Sequence, residues 1–108
     1  AEANPILADI ADILETYEDL IKMVRIEGHT DDRPIRTAQF NSNWELSTVR
    51  AVNVLRHLLD TSALPPEKLS AVGLSEFHPI AENDTPEGMA QNRRVDFIIE
   101  AVPVDEGG

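Results

Sequence analysis

The residues best suited to chemistry form a short polar run, His29-Thr30-Asp31-Asp32. An imidazole and two carboxylates are common metal ligands, so one interpretation of this run is a metal site. The other histidines, His57 and His78, show no ligand spacing relative to it. We favour the alternative interpretation, a turn whose Asp and Thr side chains bond the local backbone. The sequence therefore predicts no metal and no cofactor.

A hydrolytic triad is the second chemistry that the residue types allow. Ser47, His57 and one of several acids can be combined on paper, but almost any sequence offers such a set. The chain lacks a Gly-x-Ser-x-Gly motif, and Ser47 falls in the first turn of a predicted helix as an ordinary polar residue. We therefore predict that the protein is not an enzyme.

Arginines are the remaining candidates for holding a charged ligand. Arg50 lies near the start of the same predicted helix, close to a polar loop, and taken alone it is typical of a solvated surface residue. Arg93 and Arg94 open the last predicted strand, where neighbouring side chains point to opposite faces. One of them can face a pocket, and a structural salt bridge explains the pair equally well.

The chain opens with a predicted amphipathic helix. Asn4 is the expected cap and Pro5 the first helical residue. Acidic side chains occupy one face, which we interpret as solvated. The predicted apolar face consists of Ile6, Ile10, Ile13, Leu14, Tyr17, Leu20 and Ile21.

A second helix is predicted after a long polar loop over residues 29–43, a length typical of functional loops. Ser42 and Glu45 form a capping-box pattern, and the helix is expected over residues 44–59. Its off-stripe positions are predicted to be Ser47, Arg50 and His57. Its buried stripe is predicted to be Leu46, Val49, Val52, Leu55 and Leu59.

Three short strands alternate with the helices. They are predicted over residues 23–27, 68–73 and 94–102. A polar loop and a short helix from Thr85 separate the last two strands. The inner face of the last strand is predicted to be Val95, Phe97, Ile99 and Ala101. The order of elements predicts an α+β fold, an α/β sandwich with helices packed on one face of a mixed sheet.

Composition excludes several classes of function. The chain has 108 residues, which suits one domain, and its 9 Lys and Arg against 20 Asp and Glu give a formal charge of −11. Such an acidic chain is a poor candidate for binding nucleic acid or an anionic membrane surface. The absence of cysteine excludes disulfides and thiolate metal sites. No segment reads as a membrane span or a signal peptide.

Four motifs follow one another in a fixed order. Gly28 to Asp31 forms a Gly-His-Thr-Asp loop, and residues 43–51 read Asn-x-x-Leu-Ser-x-x-Arg-Ala. Residues 69–73 form a strand, and Asn92 to Val95 reads Asn-Arg-Arg-Val. In this order the motifs resemble the OmpA-like peptidoglycan-binding family over about Ile6 to Glu100. Pro34-Ile35, the long spacer and Trp44 are most similar to the members found in flagellar motor stators.

The resemblance implies a non-catalytic domain that binds the stem peptide of peptidoglycan at its diaminopimelate residue. Asp31 is expected to pair with the ammonium of this ligand and Arg50 with its carboxylate. The remaining expected ligand-binding residues are Asn43, Arg93, Thr30 and Leu46.

The resemblance also implies a setting for the domain. We expect a periplasmic anchor of a flagellar motor stator, forming a homodimer and working with the stator A-subunit. The full-length protein is expected to be held in the inner membrane by an N-terminal helix outside this sequence. The alternatives are a wall-anchoring domain of an outer-membrane protein or lipoprotein, or a dimerisation module with weak wall binding.

Two departures from the family pattern bear on the pocket and on assembly. Leu74-Ser75 replaces the usual aromatic-Gly pair after the second strand. The first family strand is not visible before the first helix, and a missing strand leaves a sheet edge open to dimerisation. We predict a domain over residues 1–102 and a flexible tail over residues 103–108.

Overall fold

The structure, a computed structural model, describes residues 5–103. The predicted order of helix, strand, helix, strand, short helix and strand is confirmed. The elements are α1 Pro5–Thr16, β1 Ile21–Gly28, α2 Asn43–Thr61, β2 Leu69–Gly73, α3 Pro86–Asn92 and β3 Val95–Ala101. The predicted cap Asn4 and all of the predicted tail except Pro103 lie outside the described residues.

The three strands form one mixed sheet with β1 in the centre. β1 runs parallel to β2 and antiparallel to β3, which confirms the predicted α+β class. In this register Gly28 pairs with both Gly73 and Val95. The loops that follow β1 and β2, and the segment that precedes β3, therefore meet at one end of the sheet, where the strands terminate.

The alternation of β1 divides the sheet into a core face and an outer face. Val24 and Ile26 are fully buried on the core face, whereas Arg25 between them is exposed. On β3, Val95 and Phe97 pack against the core as predicted. Ile99 is half exposed and Ala101 is exposed, so the predicted inner face of this strand is covered over only part of its length.

The predicted buried stripe of α2 is wrong in part, although Leu55 packs against the core as predicted. Val49 and Leu59 are exposed, whereas Ser47, predicted to lie off the stripe, is fully buried together with Ala51 and Leu58. The cause is the close approach of α2 to the strand ends. A side-chain carbon added at Gly28 would overlap the carbonyl oxygen of Ser47. Near these strand ends, only small side chains fit on the face of α2 that contacts the sheet.

The predicted apolar face of α1 is also wrong in part. Ala11 and Leu14 are the buried residues of α1, and Ile21 belongs to β1 and not to the helix. The exposed members of the predicted face are Ile6, Ile13, Tyr17 and Leu20. Because α1 covers the core with one narrow stripe, most of its large apolar side chains stay at the surface. No helix within residues 5–103 is long and apolar enough to cross a membrane.

Candidate functional site

A cavity of about 280 Å³ opens at the end of the sheet where these loops meet. All six predicted ligand-binding residues line it, and Arg33, Pro34 and Ile35 complete its wall. The predicted six are Thr30, Asp31, Asn43, Leu46, Arg50 and Arg93.

The fold explains why distant residues meet in this cavity. Thr30 and Asp31 follow β1, and Arg93 precedes β3, which is hydrogen-bonded antiparallel to β1. Asn43, Leu46 and Arg50 are spaced by three and four residues, which places them on one face of α2. Ser42 begins this helix by accepting a hydrogen bond from the backbone N–H of Trp44, and its hydroxyl donates to the carboxylate of Glu45, the residue that the capping-box pattern pairs with it.

Asp31 is buried and carries a dense set of hydrogen bonds. Its Oδ2 accepts from Nη2 of Arg33 at 2.7 Å and from Nη1 of Arg93 at 2.7 Å. Its Oδ1 accepts from the backbone N–H of Arg33 at 3.0 Å. The carboxylate is therefore held in a fixed position at the pocket wall, and it is already neutralised by two guanidinium groups.

These contacts keep the Asp31 carboxyl ionised. Burial alone would raise its pKa, but the hydrogen bonds from Arg33 and Arg93 outweigh burial and hold the pKa at about 2. Arg93 was predicted to line the site, but Arg33 was not. The one signal in the sequence that could have identified Arg33 is its position two residues after Asp31, from which its side chain can fold back onto the turn.

Asn43 and Thr30 fix the loop that carries Asp31. The side-chain amide of Asn43 donates to the carbonyl of Arg33 at 3.0 Å and, over longer distances, to the carbonyl of Asp31 and the carboxylate of Glu76. The hydroxyl of Thr30 donates to the carbonyl of Asp31 at 2.8 Å. Both side chains line the cavity and also hold its shape.

Arg50 differs from the other two arginines of the cavity. Within residues 5–103 its guanidinium makes no hydrogen bond or ion pair, although it is partly buried in the cavity wall. Asp31, the carboxylate that lines the same cavity, already forms ion pairs with Arg33 and Arg93. Arg50 therefore presents an uncompensated positive charge and a planar fork of N–H donors to the cavity.

Asn92 is a positioning residue that sequence reasoning missed. It is fully buried, and its Oδ1 accepts from the backbone N–H groups of Ile80 and Ala81 at 2.8 and 3.0 Å. Its Nδ2 donates to the carbonyl of Ala81 and to Oδ1 of Asn83. The side chain thereby ties the loop after β2 to the end of α3, one residue before Arg93.

Several of the candidate residues have structural roles. In the pair Arg93-Arg94, one side chain faces the cavity and the other forms a salt bridge. Arg93 faces the cavity, and Arg94 instead binds Asp96 through Nε at 3.1 Å. His29, Asp31 and Asp32 do not form a metal-ligand set in the described part of the chain, because Asp31 faces the arginines and Asp32 is exposed. The hydroxyl of Ser47 is buried and bonds backbone atoms of Trp44 and Ser75.

Comparison with known proteins agrees with this architecture. The family model described as the OmpA family matches residues 1–93. Motility protein B of Bacillus subtilis is 39% identical over 98 residues, which are 91% of this chain and 37% of that protein. The peptidoglycan-binding protein ArfA of Mycobacterium tuberculosis is 37% identical over 94 residues, 87% of this chain and 27% of ArfA. The chain thus spans about a third of these relatives' length.

Solved structures share the fold. The cell wall anchor of the T6SS from Pseudomonas aeruginosa superimposes with a TM-score of 0.78 at 39% identity, covering 91% of this chain and 66% of that one. The C-terminal domain of Helicobacter pylori MotB superimposes with a TM-score of 0.77 at 30% identity, covering 95% and 79%. The extent of the family match, the MotB relatives and the shared fold together establish that this chain belongs to the OmpA family.

Proposed function

We propose that this domain binds peptidoglycan without catalysis, and that it holds the stem peptide at the diaminopimelate residue. The observation that carries the proposal is the pocket in which Asp31 and the unpaired Arg50 line the same cavity. Support comes from relatives whose names describe them as peptidoglycan-binding or as motility proteins.

The chemistry of the pocket suits a free amino-acid end. Such a group carries one ammonium and one planar carboxylate. Arg50 can bind the carboxylate through two parallel hydrogen bonds, which a lysine could not do. Asp31, kept ionised, can accept the ammonium. Charge-assisted hydrogen bonds of this kind contribute about 1.5 to 3 kcal/mol each, and repeated sites along a polymer add avidity.

Arg33 occupies the side of Asp31 to which the ammonium would bind. Its side chain is 61% exposed, whereas that of Arg93 is 35% exposed, so Arg33 is the more accessible partner of Asp31, and the ammonium would replace the hydrogen bonds that Arg33 gives up. We expect the ligand ammonium to replace Arg33 and Arg93 to stay in place. Arg33→Ala should therefore retain wall binding.

Pull-down with purified sacculi tests the proposal. Arg50→Ala and Asp31→Asn should each remove most of the bound fraction. Arg56→Ala, an exposed arginine on the same helix, is the matched control and should bind as wild type does. Undiminished binding by Arg50→Ala and Asp31→Asn would refute the pocket assignment. If Arg33→Ala lost as much sacculus binding as Asp31→Asn, the proposed replacement of Arg33 by the ligand ammonium would be refuted.

The wider role proposed for the domain is anchoring a flagellar motor stator to the cell wall. The full-length protein would then lie in the periplasm, held in the inner membrane, and would act with the stator A-subunit. The similarity to Motility protein B and to MotB supports this role over that of an outer-membrane protein or lipoprotein of the same family. A membrane-spanning segment encoded upstream favours the stator, and a lipobox or barrel favours the others.

A dimerisation module is the second candidate, and β3 favours it. In residues 5–103 this strand pairs with β1 alone and forms the sheet edge. Ile98 and Ile99 of this strand and Val102 just after it are 40 to 50% exposed. We expect a second copy of the chain at this edge, because an edge strand with exposed apolar side chains is a template for pairing.

Light scattering over a concentration series tests the dimer. The mass should rise towards twice that of the chain, and Ile99→Lys should keep it at the monomer value. A wild-type mass that stays monomeric at every concentration would exclude this candidate.

A further inference from the structure

We propose a binding site for a divalent transition-metal ion of the zinc class, formed by Glu27, His29 and Asp96 on the outer face of the sheet. One ligand atom from each of these three side chains lies within 4.8 Å of the other two. The site is separate from the peptide cavity, since none of its three residues lines that cavity.

His29 is the observation that points to a ligand. Its side chain is 2% exposed, and neither ring nitrogen has a hydrogen-bond partner within residues 5–103. A buried imidazole normally finds a partner, because an unmade hydrogen bond in the interior is costly. The backbone N–H of His29 donates to the carbonyl of Arg94 at 2.9 Å, which fixes the main chain from which the ring projects.

The distances around His29 suit a shared ion better than a direct hydrogen bond. Its Nε2 lies 3.4 Å from Oδ2 of Asp96 and 3.7 Å from Oε1 of Glu27. Ligand atoms bound to one zinc at about 2.0 to 2.2 Å with tetrahedral angles lie about 3.3 to 3.6 Å apart. The two distances fall within this range or just beyond it, and the ligand oxygens of Glu27 and Asp96 lie within 4.8 Å of each other.

Each carboxylate of the cluster has an arginine partner and still directs one oxygen towards His29. Glu27 and Asp96 are register partners on neighbouring strands, and like charges in this position repel. Arg25 binds Oε2 of Glu27, which leaves Oε1 facing His29. Arg94 binds both oxygens of Asp96 and can keep Oδ1 when Oδ2 takes the metal.

The surroundings of His29 favour the neutral imidazole, which is the form that binds metal ions. Burial, followed by the charge of Arg94, lowers the pKa of His29 below its usual value. The exposed ring of His78 is the nearest candidate for a fourth ligand, with its centroid 6.0 Å from that of His29. An imidazole with carboxylates suits zinc-class ions, whereas calcium prefers oxygen ligands alone.

Isothermal titration of the tag-free 108-residue chain with Zn²⁺ in 150 mM salt tests this site. We expect one ion per chain, with Glu27→Gln and Asp96→Asn each weakening binding by about tenfold or more. Asp9→Asn, an exposed acid on α1, is the matched control for non-specific attraction by the acidic chain and should bind as wild type does. Circular dichroism verifies that each variant is folded.

Co²⁺ supplies a second readout through its visible absorption, which should show the intense bands of a tetrahedral site in wild type and lose them in Asp96→Asn. Absence of one-to-one Zn²⁺ binding in wild type would overturn the proposal. Equal affinity of wild type, Glu27→Gln and Asp96→Asn would overturn it as well, since binding would then reflect only the overall charge.

Discussion

Asp31 shows how one buried carboxylate can be both a structural and a binding group. Its ordinary pKa of 3.8 falls to about 2 because Arg33 and Arg93 hydrogen-bond its ionised form more strongly than burial opposes it. A lowered pKa in the folded state means that ionisation stabilises the fold. The difference corresponds to about 2 kcal/mol, present above pH 4 and lost as the pH falls through about 2.

Asp31→Asn should therefore change how stability depends on pH. The stability gap between wild type and Asp31→Asn should shrink by about 1 kcal/mol between pH 6 and pH 3, because over this interval Asp31 becomes protonated in the unfolded chain while it stays ionised in the folded protein. Urea unfolding at the two pH values measures the gap. A gap that stays constant would show that the arginine contacts do not stabilise the ionised form.

Ser75 occupies a backbone conformation that suits glycine. Its φ of 58° lies in the left-handed region, and its hydroxyl is buried without a hydrogen-bond partner in the described part of the chain. Its backbone nevertheless links the site, since its N–H donates to Oγ of Ser47 and its carbonyl accepts from Thr30. The position explains why glycine is usual there in the family.

Ser75→Gly should stabilise the domain by about 1 kcal/mol, because it removes both the strained φ and the unsatisfied hydroxyl. Thermal unfolding should show a midpoint higher by about 4 °C. Ser70→Gly, within β2 and without a positive φ, is the control and should lower the midpoint. An unchanged or lower unfolding midpoint for Ser75→Gly would contradict the claim that the backbone of Ser75 is strained.

At the residue scale, the ordered motifs of the sequence predicted which side chains line the cavity but not how they pair. Thr30, Asp31 and Arg50 could be named because their spacing matches a family pattern. The partnership of Asp31 with Arg33 could not be predicted, since it depends on the turn that brings the Arg33 backbone N–H to Oδ1 of Asp31. Whether these residues bind the peptide stays a prediction.

At the scale of elements, the pocket depends on how closely α2 approaches the sheet. Gly28 and Gly73 end the two parallel strands, and both lie against the first turns of α2. Their missing side chains allow the helix to bring Asn43, Leu46 and Arg50 over the strand ends. The distance between helix and sheet thus sets the distance between Arg50 and the loop that carries Asp31.

Gly28→Ala should disturb both stability and binding, because the added methyl group collides with the backbone of Ser47. We expect a loss of about 2 kcal/mol in urea unfolding, together with weaker binding to sacculi. Asp9→Ala, at an exposed position on α1, is the control and should change neither quantity. Wild-type stability in Gly28→Ala would contradict the close packing.

The same packing explains where the helix predictions failed. Hydrophobic periodicity assigns the largest apolar residues to the core, so it selected Val49 and Leu59 of α2. The glycine strand ends instead demand small residues, and Ser47 and Ala51 fill this interface. The alternation predicted for β1 is present in the structure, because it depends only on the two faces of the sheet and not on the thickness of the layer above it.

At the scale of the whole molecule, the domain combines an acidic body with a local cluster of arginines. The formal charge is −11, yet Arg33, Arg50 and Arg93 line one cavity with a single buried carboxylate, Asp31. An anionic group is therefore attracted to the cavity even though the chain as a whole repels it. Residues 5–103 supply the complete cavity wall described above, so the domain should bind peptide by itself.

Calorimetric titration of a diaminopimelate-containing stem peptide into wild type, Arg50→Ala and Arg56→Ala tests the central claim most directly. Loss of the guanidinium fork should weaken binding by about tenfold to a hundredfold, in line with about 1.5 to 3 kcal/mol for a charge-assisted contact, while Arg56→Ala binds as wild type does. Equal affinity of Arg50→Ala and wild type would contradict the claim that the unpaired arginine holds the peptide carboxylate.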